Sequence, residues 1–145
     1  MQIPNYDTHF QEKTNLRQLY LFMPKNIFRM LICGNTGCGK TNLSIHMLLT
    51  PLLYYDKIYL YAKNLEQDKY PTLISALEPM SKVSGYPIIE YSNEGILPVN
   101  ELPDNRPGSQ QTIVICDDYV CEKNEKDLID YFIQGRHKNA SVVYL

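Results

Sequence analysis

Apolar positions along this chain fall into short blocks of two kinds, and their alternation predicts an α/β fold. Phe28–Cys33 is apolar except for Arg29. A short apolar run that leads into a glycine-rich turn reads as a strand. Behind it Leu43, Ile45, Met47, Leu48 and Leu49 are interleaved with Asn42, Ser44 and His46, the pattern of an amphipathic helix beginning near Lys40. Thr50-Pro51 stops that helix. Lys57–Ala62, KIYLYA, alternates branched and aromatic residues and predicts the second strand. Asn64–Lys69 is a polar turn. Tyr70–Met80 carries Leu73, Ile74 and Leu77 at helical spacing, with Pro71 suited to a first turn. Ile88–Tyr91 reads as a short strand. Asn93–Gln111 contains Gly95, Pro98, Pro103, Pro107 and Gly108 and predicts a long irregular connection.

Thr112–Asp118, TIVICDD, places Ile113, Val114, Ile115 and Cys116 in a row, as in a strand buried on both faces. Asn124 suits the cap of a helix over Glu125–Gln134, with Leu128, Ile129, Phe132 and Ile133 as its stripe and Gly135 at its C-cap. Ser141–Leu145 reads as a last buried strand. Upstream, Met1–Lys13 reads as an irregular arm. Asn15–Phe22 reads as a short helix or strand, ended by Pro24. No internal repeat or low-complexity run is present.

The junction between the first strand and the first helix carries the most specific chemistry. Gly34-Asn35-Thr36-Gly37-Cys38-Gly39-Lys40-Thr41 matches G-x-x-x-x-G-K-[ST] in the strand–loop–helix context that this phosphate-binding P-loop pattern requires. A chain of this length would match by chance roughly one time in 200. The glycines let the backbone curl without a Cβ in the way. Successive N–H groups can then converge on phosphate oxygens, and the helix adds its positive dipole end. Lys40 is the candidate partner of the β- and γ-phosphates, and the Thr41 hydroxyl a candidate ligand of Mg²⁺. The plainer alternative is a glycine turn that binds nothing.

An apolar strand ending in Asp is the second half of such a site. Asp117 is the candidate metal carboxylate, since carboxylate oxygen suits a hard cation such as Mg²⁺.

 The metal contact would run through water. Asp118 faces away by strand alternation or sits at the turn, where it could orient or deprotonate a water attacking the γ-phosphate. The plainer alternative is a strand-end turn with two solvated carboxylates.

Composition narrows the picture. The chain has 145 residues, enough for one domain with a real core. A net charge of −2 excludes a uniformly basic nucleic-acid binder, so any such contact is a local patch or the product of an assembly. Tyr is common at twelve and Trp is absent, which fits half-buried strands and interfaces. Cys33, Cys38, Cys116 and Cys121 form no C-x-x-C pair and no zinc spacing, and read as reduced thiols. Cys38 alone has a reactive prospect, beside a helix N-terminus, unless it is simply a small residue that fits the loop. Met1–Gln11 lacks the apolar core of a secretory signal, and no apolar stretch approaches membrane-spanning length. The expectation is an intracellular protein with no membrane partner.

GNTGCGKTNL, KIYLYAKNLEQDKY, IVICDDYVCEKN and DYFIQGRHKNASVVYL together resemble the poxvirus-type genome-packaging ATPases. These belong to the FtsK/HerA branch of P-loop NTPases, found in large DNA viruses, virophages and related integrated elements. The two nucleotide motifs are generic to P-loop proteins, and the GRHKN-x-SVVYL tail discriminates. The resemblance runs from about Asn26 to the last residue. It implies residues 1–25 as an amino-terminal arm and 26–145 as a RecA-like P-loop core, a mostly parallel sheet flanked by helices. It implies Ser141–Leu145 as the sheet's middle strand, between the P-loop strand and the Asp117 strand. It also implies that the family's following segment, with a polar γ-phosphate sensor and a further strand, is missing. Arg136 falls where this branch places an arginine finger that reaches a neighbouring subunit's γ-phosphate. The alternative for Arg136 is a cation favoured at a helix C-terminus.

The function so implied is an ATP- and Mg²⁺-dependent ATPase that moves double-stranded DNA into a capsid, working as a homo-oligomeric ring in host cytoplasm or virion. Capsid components are further expected partners. Lys40, Asp118 and Arg136 are its expected catalytic residues. Two other classes compete. A non-catalytic nucleotide-binding remnant would keep the loop and lose turnover. A small P-loop kinase would need an arginine-bearing lid, for which only Arg106 stands in a plausible loop.

Overall fold

The computed structural model describes residues 23–24, 27–50, 52–66, 69–119 and 125–145. The expected arm, the element over Asn15–Phe22, the stop at Pro51, the Asn124 cap and Cys121 lie outside the described residues. The elements run β1 (Arg29–Leu31), α1 (Lys40–Leu49), β2 (Lys57–Ala62), α2 (Lys69–Ser84), β3 (Ile89–Ser92), β4 (Thr112–Asp117), α3 (Glu125–Gln134) and β5 (Ala140–Tyr144). Short 3₁₀ turns cover Val99–Glu101 and Gly135–Lys138.

The five strands form one sheet in the order β1-β5-β4-β2-β3, and every neighbouring pair is parallel. The strand expected at the sheet's middle is there: β5 lies between β1 and β4. Period-two alternation divides the side chains between two cores. Ile113 and Ile115 of β4 join Ile58 and Leu60 of β2 against Met47 and Leu48 of α1 and Leu73 and Leu77 of α2. Val114 and Cys116 face the other way, onto Tyr131 of α3, Tyr119, Val99 and Leu102. Each such buried aliphatic side chain contributes about 1.5–3 kcal/mol.

The placement of helices follows from chain direction. Parallel crossovers are right-handed, so reversing the direction of travel across the sheet moves the connection to the opposite face. From β1 to β2 and from β2 to β3 the chain travels one way, and α1 and α2 share a face. From β3 to β4 and from β4 to β5 it travels back, and the Val99–Glu101 turn and α3 cover the other face. The loops leaving β1 and β4 therefore depart to opposite faces at the carboxyl edge, where open α/β sheets bind ligands.

Four sequence expectations needed adjustment, the first being the apolar stripe of α3: Tyr131 is its fully buried residue, and Ile129 and Ile133 are exposed. β1 is shorter than Phe28–Cys33, spanning Arg29–Leu31. Helix α2 runs past Met80 and through Pro79 to Ser84, where Gly85 at φ 77° closes it by donating its N–H to the Ser81 carbonyl. Gly135 does not take the left-handed position after α3. The chain continues as a 3₁₀ turn and Asn139 takes it, at φ 53°. Gly135 instead sits where space is tight: a Cβ there would lie 3.1 Å from the Ala140 carbonyl oxygen.

Candidate functional site

The loop from Ile32 to Gly39 leaves β1 at the edge of the sheet where β4 ends. Leu31 pairs with Tyr144, and Cys116 pairs with the same Tyr144 from the other side. Gly37 and Gly39 are left-handed, at φ 80° and 98°. An L-residue at either would strain the turn by about 1–2 kcal/mol. At Gly34 the constraint is room rather than φ: a Cβ there would sit 2.5 Å from the Cys38 Sγ, which would have to turn away. The Cys38 N–H donates to the Asn35 carbonyl at 3.1 Å, closing the turn, and the Leu43 N–H donates to the Gly39 carbonyl at 2.9 Å, opening α1. Residues Gly34, Asn35, Thr36, Gly37 and Cys38 are all exposed. The first N–H groups of a helix have no partner within it, which leaves donors facing this exposed loop.

Lys40 folds back over the loop and donates from Nζ to the Gly34 carbonyl at 3.0 Å. Thr41, one residue on, donates its hydroxyl to Asp117 Oδ2 at 2.9 Å. That bond joins two sequence motifs 76 residues apart across the end of β5. Asp117 is 8% exposed and closes β4. Asp118 follows outside the strand, exposed, with φ 49°. It occupies the turn rather than the next strand position, and its side chain is free of the alternation that fixes Asp117.

A second hydroxyl converges here that sequence reasoning missed. Tyr70, at the start of α2 and 2% exposed, donates its phenol to the same Asp117 Oδ2. Burial, and then the hydrogen bond to Asp117, push the phenol well above its ordinary range, so it stays protonated and serves as a donor. The sequence offered only a tyrosine in the first turn of an amphipathic helix, and no motif marks that position as polar and functional.

Arg136 is not brought to this cluster. It is exposed in the 3₁₀ turn before β5, at the end of the sheet where Ala140 pairs with Thr112. Asp117 ends the opposite edge, about five strand residues or roughly 16 Å away. Arg136 Nε approaches His137 Nε2 at 3.3 Å, and its carbonyl accepts from Asn105 at 3.2 Å. Lys138 pairs with Asp104 at 2.8 Å, which holds the exposed Asp104 carboxyl below its ordinary range.

The oxygen donors at the loop fit a magnesium–nucleotide complex. Thr41 and Asp117 supply a hydroxyl and a carboxylate side by side, and no group of three or more His, Cys, Asp or Glu gathers there among the described residues. Mg²⁺ typically binds through one or two protein oxygens and completes its shell with water and substrate phosphates. A separate cleft of about 390 Å³ opens on the far flank of the sheet, beside Tyr59, Glu90 and Glu94, and shares no residue with the loop.

Comparison with known families turns on one match. The family model described as Poxvirus A32 protein covers residues 16–145. The chain belongs to this family. Among the A32 relatives, the DNA packaging protein OPG160 of Variola virus is 32% identical over 142 residues, which cover 94% of this chain and 50% of that protein. The protein of the same name from Vaccinia virus (strain Copenhagen) gives the same identity over 142 residues. That of Monkeypox virus is 32% identical over 146 residues, covering 94% of this chain and 45% of the relative. The chain thus spans about half the length of the curated A32 relatives it matches. No solved structure matches it. No helix among the described residues is long and apolar enough to cross a membrane.

Proposed function

We propose that this chain carries the nucleotide site of an ATP-driven motor that packages double-stranded viral DNA. The observation that carries the reading is the 2.9 Å hydrogen bond from Thr41 to Asp117, at the mouth of a glycine loop and beside an open helix N-terminus. The contact puts a hydroxyl and a carboxylate from the two motifs side by side, as a shared Mg²⁺–nucleotide ligand would require. The relatives' name, DNA packaging protein, supplies the process.

On this reading the loop Gly34, Asn35, Thr36, Gly37, Cys38 and Gly39 wraps the phosphates with backbone N–H groups. Lys40 exchanges its Gly34 carbonyl contact for phosphate oxygens. Thr41 and Asp117 hold the Mg²⁺, whose chemistry is to draw charge from the phosphate oxygens. Asp118, exposed and outside the strand, orients the attacking water and accepts its proton. Arg136 acts on a neighbouring subunit's nucleotide, because its distance from Asp117 keeps it away from the nucleotide of its own chain. A ring of copies is the assembly that satisfies this, with DNA in its channel and capsid components outside. Its place of action is the infected cell or the virion.

Lys40→Ala tests the reading directly. It removes a charge-assisted contact worth about 1.5–3 kcal/mol, so affinity for Mg²⁺-ATP should fall about 10- to 150-fold. Isothermal titration of both proteins measures this, and equal affinities would sink the assignment. Hydrolysis assayed with and without double-stranded DNA then separates a DNA-stimulated motor from a nucleotide binder that does not turn over.

A further inference from the structure

Tyr70 stands outside both nucleotide motifs, on the helix that follows β2, yet its hydroxyl ends on the carboxylate that closes β4. Its ring lies among Leu73, Leu77 and the apolar core of that face. Phenylalanine would satisfy that packing, and a buried hydroxyl costs free energy unless it is hydrogen-bonded. The hydroxyl therefore has to be explained by what it bonds. It bonds Asp117 Oδ2, the same oxygen that accepts from Thr41.

Two donors on one carboxylate oxygen have a geometric consequence. The terminal torsion of Asp is broad and roughly two-fold, so an unrestrained carboxylate samples many orientations. Thr41 comes from α1 and Tyr70 from α2, and the two helices approach Asp117 from different parts of the chain. Donors fixed to separate helices hold Oδ2 in place and thereby set the direction of Oδ1. Metal sites depend on such orienting partners, whose loss typically weakens metal binding by 10- to 100-fold.

We propose that Tyr70 is a positioning residue that orients the Asp117 carboxylate for Mg²⁺ at the nucleotide site. The inference rests on the magnesium–nucleotide reading of that site. It adds a third helix-borne donor to it and makes α2 part of the metal centre.

Tyr70→Phe keeps the ring and deletes the donor. The readout is the Mg²⁺ concentration that gives half-maximal tightening of ADP binding, followed by fluorescence of a labelled ADP. Mn²⁺ binding to the ADP complex, followed by electron paramagnetic resonance, is the second readout. The variant should bind ADP without metal as the wild type does, and should need about tenfold more Mg²⁺ or Mn²⁺. In an Asp117→Asn background the same substitution should add no further shift, because Tyr70 acts through that carboxylate. A metal requirement within about twofold of wild type, or full additivity with Asp117→Asn, overturns the proposal. A general loss of packing would lower metal-free ADP affinity and thermal stability together and leave the metal titration unmoved, which also overturns it. A wild type that binds ADP without any response to Mg²⁺ is a different failure, of the underlying reading, and Tyr70 falls with it.

Discussion

β1 and β4 deliver the two halves of the proposed nucleotide site, and they are built in opposite ways. β4 has six residues, all buried, with β5 on one side and β2 on the other. β1 has three residues, two of them exposed, and pairs among the described residues only with β5. It is held at its ends: the Val142 N–H donates to the Phe28 carbonyl at 3.0 Å, the Ile32 N–H to the Tyr144 carbonyl at 2.8 Å, and Arg29 Nε to the Phe132 carbonyl. The contrast matches what each half supplies. A carboxylate must sit at a fixed point, and a strand locked on both edges and both faces provides one. A glycine loop that wraps phosphates would use its backbone, and a strand paired on one side among the described residues leaves it room to adjust. Local stability is expected to differ accordingly.

Removing side chain from β4 should break the contrast most sharply. Ile113 is 0% exposed and packs between β2 and β5 neighbours. Ile113→Ala should cost about 2–5 kcal/mol, the transfer of the lost methylenes plus the cavity they leave. Urea unfolding reads this as a lowered midpoint at unchanged slope. A loss under about 1 kcal/mol would show that β4 is not the rigid member of the pair.

Alkaline titration sharpens the same comparison by chemistry. Burial pushes the Cys116 thiol in β4 from its ordinary 9.0 up to about 12, and the Tyr61 phenol in β2 from 10.0 to about 12. Both groups are neutral when protonated, so the folded chain holds its protons longer than the unfolded one. Their stabilisation is complete below about pH 9 and is lost as pH climbs from there through about 12. Stability measured by urea should fall over that window, and Cys116→Ala should make the fall shallower. Cys33 and Cys38, at the β1 end, are exposed. Iodoacetamide at neutral pH should label both in the native protein and spare Cys116, as peptide mapping would show. Native labelling of Cys116 at the same rate would contradict its burial.

How much of this was written in the sequence depended on whether a local pattern carried the information. β2 and α3 appear with the bounds their patterns predicted and β4 within one residue, but the face that α3 buries is centred on Tyr131, and Ile129 and Ile133 of its expected stripe are exposed. The glycine loop was legible because its residues are chemically constrained one by one. β5's central place was expected only through family resemblance, because strand order depends on crossover direction and not on composition. The Thr41–Asp117 contact was implied by two motifs, but its distance was not. Tyr70 was illegible, since its partner is 47 residues away and its own neighbourhood reads as ordinary helix. Arg136 was placed correctly before β5, and its separation from Asp117 emerges only once β4 and β5 are seen to be parallel.

The smallest effect concerns the exposed strand itself. Leu31 is 64% exposed at the end of β1, where the glycine loop begins. Leu31→Thr keeps a branched, strand-favouring residue while removing apolar surface. With so little side chain buried, its stability cost should stay within about 0.5 kcal/mol, against several for Ile113→Ala. Nucleotide affinity should hardly move, because the phosphate contacts assigned to the loop are made by backbone N–H groups and Lys40. An exposed leucine on a strand with no second partner among the described residues also favours association, so the variant should elute no earlier than wild type in size-exclusion chromatography. A cost above about 1.5 kcal/mol would mean that Leu31 is covered in solution, by another copy or by residues outside those described, and that β1 is not the loosely held half of the site.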